Sequence, residues 1–377
     1  MVSFPSSIPS SLPLSPPPSL PQLTNFPLHP NSNIYLKLES LQPSGSFKSR
    51  GIGNLLTRAI HAHGPNKPIH FYCSSGGNAG LACATAAHTL NRPATIVVPV
   101  GTSALMLQKL ADLGADTRTH GQHWSEADAF LRTELLAHDH HGVYVPPFDH
   151  PDIWEGNGTI VEELEMQMRG VGGYDAVVCS VGGGGLFAGL MGSFERHGRL
   201  SGGAHRPVKV LAMETLGADS LACSLKNKEL SRLDTITSIA TSLGATQVAQ
   251  KAFEWAQRPE VTSCVLSDAE AAIASVCFAD DERIMVEPAC AVSIATAYNG
   301  TLASLYPDLT PEEFTKLNVV IVVCGGSKVT LQILEEYRLK YGSDEDVLQK
   351  FHAHKWAEES KKSAEARKKV KVGVEQA

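Results

Sequence analysis

Residues 69–80 read Ile-His-Phe-Tyr-Cys-Ser-Ser-Gly-Gly-Asn-Ala-Gly. The first five residues, Ile69–Cys73, form a short apolar run of the kind that makes a buried strand. A Ser/Gly turn follows, and then the Ala-rich stretch Ala79–Leu90, which reads as a helix. The same order recurs further along. Ala176–Val181 is apolar and runs into Gly182-Gly183-Gly184-Gly185. Thr95–Val98, Val208–Met213 and Val319–Cys324 are further buried-strand candidates. Between them, Ser103–Leu113 reads as a helix that Ser103 can cap, and Thr159–Met168 sets Ile160, Leu164 and Met168 on one helical face. Near the start, Ile34, Leu36 and Leu38 alternate with Tyr35, Lys37 and Glu39, as in a short strand. Such alternation predicts an α/β fold of parallel sheets covered by helices. Ligands of open parallel sheets sit beyond the carboxyl ends of the strands, so the loops after these strands are where chemistry is expected.

The bulk properties narrow the class. Of 377 residues, 43% are hydrophobic and 19% charged, an ordinary globular balance. A net charge of −7 weighs against nucleic acid as the main partner. No run reaches the ~18 apolar residues of a membrane span. Residues 1–30 hold nine prolines and no Asp, Glu, Lys or Arg, which predicts extended, partly disordered chain and neither a secretory nor a mitochondrial leader. A cytoplasmic location is expected. The eight cysteines include no CxxC pair and read as free thiols in a reducing compartment.

Three loops and a strand end stand out. Pro43-Ser44-Gly45-Ser46-Phe47-Lys48-Ser49-Arg50-Gly51 puts a lysine in a Gly/Ser-rich turn that opens a helix. Alone, Lys48 would be a surface charge; in a site it is the amine that pyridoxal-phosphate (PLP) chemistry needs. Ser74–Gly80 presents hydroxyls and free N–H groups at a helix start, which suit a carboxylate, or it is a tight turn with a Ser cap. Gly182–Gly185 can wrap a phosphate with backbone N–H groups, though it matches neither a Walker loop nor a dinucleotide fingerprint and could serve any phosphate ligand. Cys324, at the end of its strand before Gly325-Gly326, is either a structural cysteine or a thiol where a ligand ring ends.

Together these segments resemble the serine/threonine dehydratase group of the fold-type II, tryptophan-synthase-β-like PLP enzymes, most of all the catabolic serine dehydratases. The matching pieces are Lys37–Glu39, Gln42–Gly51, Ser74–Gly80, Ser180–Gly185, Met213–Thr215, Glu287–Ala289 and Cys324–Gly326, in that order. Leu12–Leu20 looks like the group's Pro-Leu opening. The resemblance implies two open parallel-sheet domains with the cofactor in the cleft between them. The large domain would be 1–41 with 146–342, the small one 42–145, and 343–377 a charged helix or tail. It implies that Lys48 carries PLP as a Schiff base and moves the α-proton. Phe47 would pack on the cofactor ring, Asn78 would bond its phenolic oxygen, and Gly182, Gly183, Gly184 and Gly185 would bind its phosphate. Ser75, Gly76 and Asn78 would hold the substrate, and Cys324 would face the pyridine nitrogen as a weak hydrogen-bonding partner. The expected reaction is β-elimination of L-serine to pyruvate and ammonia, with some L-threonine activity. The cofactor phosphate would protonate the leaving hydroxyl, since no acid is obvious nearby.

The same resemblance implies a monovalent cation, potassium, at Glu214, Ala218, Ser220, Leu243 and Ala245. Oxygen-only ligation suits such an ion, and a capping or salt-bridged carboxylate is the other reading of Glu214. Two departures are Ser49, where relatives often carry Ile, and Asn157, where His is common and a local loop could change. His138-Asp139-His140-His141 could suggest a metal but reads as a solvated turn, and Lys-rich 355–371 as a solvated helix or tail. The 47 residues after Thr330 are few for a regulatory domain, which favours an unregulated catabolic enzyme. A homodimer acting on a small amino acid is expected. Rival readings are a serine racemase, a threonine synthase, a cysteine synthase, or a non-catalytic regulatory protein on the same fold.

Overall fold

A computed structural model describes residues 22–23 and 33–352. The expectations for 1–30 (all but Gln22–Leu23), Leu12–Leu20 and 355–371 lie outside these residues. In chain order the strands are β1 (Gln22–Leu23), β2 (Asn33–Leu38), β3 (His70–Cys73), β4 (Ala94–Val98), β5 (Asp116–Thr119), β6 (Gly142–Tyr144), β7 (Ala176–Ser180), β8 (Lys209–Thr215), β9 (Val261–Leu266) and β10 (Asn318–Val323). They form two sheets. The larger has the order β1-β2-β10-β7-β8-β9 and is parallel except for β1, which pairs antiparallel with β2. The smaller, β5-β4-β3-β6, is all parallel. The fold is therefore α/β with two parallel sheets, as the strand–helix alternation predicts.

The helices used below are α1 (Lys48–His63), α2 (Asn78–Thr89), α3 (Ala104–Asp112), α4 (Trp124–Phe130), α5 (Pro151–Gln167), α6 (Gly185–Arg196), α7 (Ser220–Asn227), α8 (Gln250–Ala256), α9 (Asp268–Glu282) and α10 (Pro288–Tyr298). One core packs α6, α9 and α10 on β2, β10, β7 and β8; a second packs α1, α2 and α3 on β3 and β4. Central strands such as β7 and β10 are buried along their whole length, which is why they read as unbroken apolar runs. Ser103 does cap α3, its side chain accepting from the Met106 N–H.

The structure departs from the sequence reading in three places. β2 is a strand, but its polar alternates do not face water: Lys37 is fully buried. β5 has no apolar residue and was not legible by hydrophobicity; as an exposed sheet edge it needs none. α5 starts at Pro151, well before Thr159, so Trp154–Gly158 is helix and not loop. His150 caps it and Pro151 occupies the first turn. Its glycines are required by packing. A Cβ on Gly156 would lie 2.6 Å from the Arg50 carbonyl of α1, and one on Gly158 would lie 2.9 Å from the Gly189 carbonyl of α6. Close helix contact, here, outweighs glycine's poor helix propensity.

The helix Glu345–His352 follows the expected large unit. Phe351 stacks on Tyr298 at 5.8 Å and Lys350 bonds Glu270 at 3.2 Å, so this part of the C-terminal segment is packed on the large core.

Candidate active site

Lys48 is the first residue of α1, and the turn before it is fastened to the end of β10. Phe47 N–H donates to the Cys324 carbonyl at 3.1 Å, Gly326 N–H donates to the Gly45 carbonyl at 2.9 Å, and Ser46 and Gly325 form an antiparallel bridge. Ser49 has a role the sequence did not suggest: its hydroxyl accepts from Ser44 N–H at 3.0 Å and closes the turn. Gly45 sits at φ +75°, and Gly325 at φ +89°, so the two apposed turns use backbone that side chains disfavour. The Lys48 amine donates to the Pro147 carbonyl at 2.9 Å and lies 5.2 Å from the Phe47 ring centroid. Burial pushes it down to about 8, with Cys73, Cys324 and Glu287 opposing and Lys328 assisting. A nucleophilic amine is thus available near neutrality.

Lys48 lines a cleft of about 640 Å³, open mouth included, at the strand ends of the large sheet. Phe47, Asn78, Gly182–Gly185 and Cys324 line it as well. Ser75 and Gly76 do not; they form the turn into α2, where the Ser75 hydroxyl accepts from Gly77 N–H at 3.3 Å. Asn78 is held from three sides. Its amide donates to Glu287 at 3.1 Å and to the Ser242 hydroxyl at 3.3 Å, and its oxygen accepts from Ser327 N–H at 3.0 Å.

The glycine loop leads into α6, whose first-turn N–H groups have no intrahelical partner. It is shaped for close approach. A Cβ on Gly183 would lie 2.3 Å from the Phe148 ring, and Gly184 has φ +87° with a Cβ position 2.4 Å from Ala252. A phosphorylated pyridine aldehyde fits these groups: an amine, free helix-start N–H donors, an aromatic wall and a strand-end thiol. Ser46 Oγ and Asn157 Oδ1 are buried, without a protein partner, and belong to residues lining the same cleft. Such atoms ask for a polar ligand or water.

The most conspicuous group missed by the sequence reading lies two residues from Lys48 in α1. Arg50 forms a two-pronged pair with Glu39 at 2.7 and 2.8 Å and a second with Glu163 at 2.7 and 2.8 Å. Buried Lys37 also bonds Glu163, and Gln167 at 2.9 Å. The cluster ties α1 to β2 and α5, and so sets where Lys48 starts. Glu287 was missed too. It precedes α10 and accepts from Asn78, from the Ser242 hydroxyl and, at 3.0 Å, from Lys328 N–H. Its signal was the Glu287-Pro288 pair, a helix-start pattern with an acid before it.

Of the cation candidates, Glu214, Ala218 and Ser220 come together. Glu214 is fully buried and accepts from the N–H groups of Leu221 and Ala222, each at 2.8 Å, at the start of α7. Burial raises its carboxyl to about 8 against those donors. Ala218 bridges Thr215, and the buried Ser220 hydroxyl has no protein partner. Leu243 and Ala245 belong to another turn, with Leu243 against Gly182 on the cleft wall. His138–His141 leads into β6, and among the described residues no His/Cys/Asp/Glu cluster suits a metal. Nor, among them, is any helix long and apolar enough to cross a membrane.

Comparison with known proteins agrees with this geometry. Residues 16–325 match the family model of pyridoxal-phosphate dependent enzymes. The chain is 42% identical over 316 residues to the L-serine dehydratase/L-threonine deaminase of Bos taurus, covering 83% of this chain and 91% of that one. It is 38% identical over 324 residues to a catabolic L-serine/threonine dehydratase of Saccharomyces cerevisiae, covering 82% and 87%. Among solved structures, a fungal L-serine ammonia-lyase from Rhizomucor miehei superposes with a TM-score of 0.78 at 34% identity, covering 87% of this chain and 99% of that one. With an amine, a glycine cradle and a strand-end thiol around one cleft, and this match over most of its length, the chain belongs to the pyridoxal-phosphate dependent enzyme family.

Proposed function

We propose that this chain is an L-serine dehydratase that converts L-serine to pyruvate and ammonia, with L-threonine as a second substrate. The observation that carries the reading is the convergence of Lys48, Gly182–Gly185 and Cys324 on one cleft. The names of the relatives above, all serine or threonine dehydratases or ammonia-lyases, support the substrate class.

When bound, pyridoxal phosphate supplies an electron sink for the pair left by the departing α-proton. The chain does the rest. Ser75, Gly76 and the start of α2 bind the substrate carboxylate, and Asn78, clamped by Glu287 and Ser327, orients the ring beside it. Gly182–Gly185 would hold the phosphate through N–H groups, and the Phe47 ring would pack the pyridine. The Lys48 amine, depressed towards neutrality, takes the α-proton. Cys324, at the strand end on the cleft wall, would face the ring nitrogen with its thiol. Loss of water followed by hydrolysis of the released enamine balances L-serine against pyruvate and ammonia.

The test is turnover by the PLP-loaded protein. Pyruvate should accumulate from L-serine and 2-oxobutanoate from L-threonine, with none from D-serine, O-acetylserine or phosphohomoserine at comparable rates. Bound cofactor without pyruvate would sink the reading, and D-serine as main product would make the chain a racemase.

A potassium ion completes this reading, held by Glu214, Ser220 and the carbonyls of Ala218, Leu243 and Ala245. The unpartnered Ser220 hydroxyl beside a buried carboxylate supports it. Replacing tetramethylammonium with potassium should raise the melting midpoint by about 2–4 °C, a ligand-linkage effect, and Glu214→Gln should remove that gain. Equal midpoints in both salts would exclude the site. We further propose a cytoplasmic homodimer, and the division into 1–41 with 146–342 and 42–145; sedimentation checks the first and limited proteolysis the second.

A further inference from the structure

Lys328 directly follows the Cys324–Ser327 turn, and its backbone is fixed beside the start of α2. Its N–H donates at 3.0 Å to the same Glu287 oxygen that accepts from Asn78, the first residue of α2. The preceding Ser327 N–H donates to Asn78 Oδ1 at 3.0 Å. The side chain then folds over the turn in front of that helix. A Cβ on Gly77 would lie 3.1 Å from Lys328 Cε and 3.2 Å from Nζ. Gly77 is the N-cap of α2 and caps it with no side chain. The ammonium therefore stands over bare helix-start backbone.

Its charge is not spent on a carboxylate. The Lys328 ammonium donates to the Thr241 hydroxyl at 3.3 Å, a long bond to a neutral group. Glu287, for its part, is 4% exposed and takes three neutral donors: the Asn78 amide, the Ser242 hydroxyl and the Lys328 N–H. A buried carboxylate beside a carboxylate-binding turn would repel an anionic substrate. The Lys328 ammonium, close over Gly77 in that turn, offsets this repulsion. A second cation, Lys109 of α3, donates to the Ser327 carbonyl at 2.8 Å, so the turn is flanked by positive charge.

We infer that Lys328 is a specificity-determining residue that pairs with the α-carboxylate of the amino-acid substrate at the Ser75–Asn78 turn. This rests on reading that turn as the carboxylate site, and it goes beyond the helix-start N–H groups assigned there. The lysine selects substrates with a free carboxylate over their amides and esters.

The experiment uses PLP-loaded protein carrying Lys328→Gln or Lys328→Arg. Binding is followed by titrating the cofactor absorbance with L-alanine and with L-alaninamide, neither of which can lose a β-hydroxyl. Lys328→Gln should weaken L-alanine about ten-fold and the amide less than about two-fold, the worth of one charge-assisted hydrogen bond. Lys328→Arg should restore affinity to within about three-fold of the parent. With L-serine, KM should rise about ten-fold while kcat stays within about three-fold. Raised ionic strength should weaken binding more in the parent than in Lys328→Gln. Equal weakening of acid and amide would mean a structural role and overturn the inference, as would an unchanged KM or failure of arginine to substitute. Failure of the parent to make pyruvate, with the alanine discrimination intact, would sink the dehydratase reading and leave this one standing.

Discussion

Lys48→Ala abolishes pyruvate formation from L-serine and the absorbance of lysine-bound cofactor. The loss should exceed about a thousand-fold, since removal of a positioned general base alone costs 10²–10⁴ and here the attachment point goes as well. Among the described residues, no other lysine lines the cleft. Lys328 stands over Gly77 with its ammonium on Thr241, and Lys109 bonds the Ser327 carbonyl; neither lines the Lys48 cleft. Substitution should leave the fold intact, because the Lys48 side chain makes one hydrogen bond, to Pro147. Absorbance spectra, borohydride trapping with peptide mapping, and a coupled pyruvate assay check the result. Retention of the absorbance band would mean that another lysine holds the cofactor.

The largest effect on stability falls on Arg50. Arg50→Met should destabilise the protein by about 3–5 kcal/mol, the cost of breaking one member out of a buried ion cluster. Glu39 has no solvent exposure and loses its cation outright; Glu163 keeps Lys37. Burial works against the charge of Arg50, and the paired carboxylates more than restore it, raising its pKa. The double variant Glu39→Gln/Arg50→Met should recover part of the loss, because the stranded carboxylate goes with its partner. Urea unfolding followed by circular dichroism measures both. A single variant within about 1 kcal/mol of the parent would show the cluster to be solvated in solution. Since Arg50 lies two residues from Lys48 in α1, folded Arg50→Met protein should also bind the cofactor more weakly.

The strands that line the cleft were readable because they are covered on both faces. Ala176–Val181 and Val319–Cys324 have no exposed side, so burial wrote itself as continuous apolar sequence and the loops after them could be found by counting. β5 escaped because an edge strand carries no such mark. The start of α5 escaped because Gly156 and Gly158 look like loop residues until α1 and α6 press against them. Among the site residues, Lys48, Asn78, Gly182–Gly185 and Cys324 announced themselves through turn chemistry. Arg50 and Glu287 did not, since their partners stand 11, 113 and 209 residues away in the chain.

The chain's local chemistry by itself determined the strand–turn–helix repeats, the parallel sheets they imply, and the chemical type of each loop: amine, carboxylate turn, glycine cradle, strand-end thiol. Each of these is a property of a few consecutive residues and survives reading along a line. Only the tertiary structure decided that Lys37 is buried against Glu163, that Arg50 joins Glu39, just after β2, to α5, and that Lys328 leans over Gly77. Those are pairings of long polar side chains across separate elements. Their sign and reach are set by desolvation and by which surfaces the two cores bring together, and no local pattern encodes that.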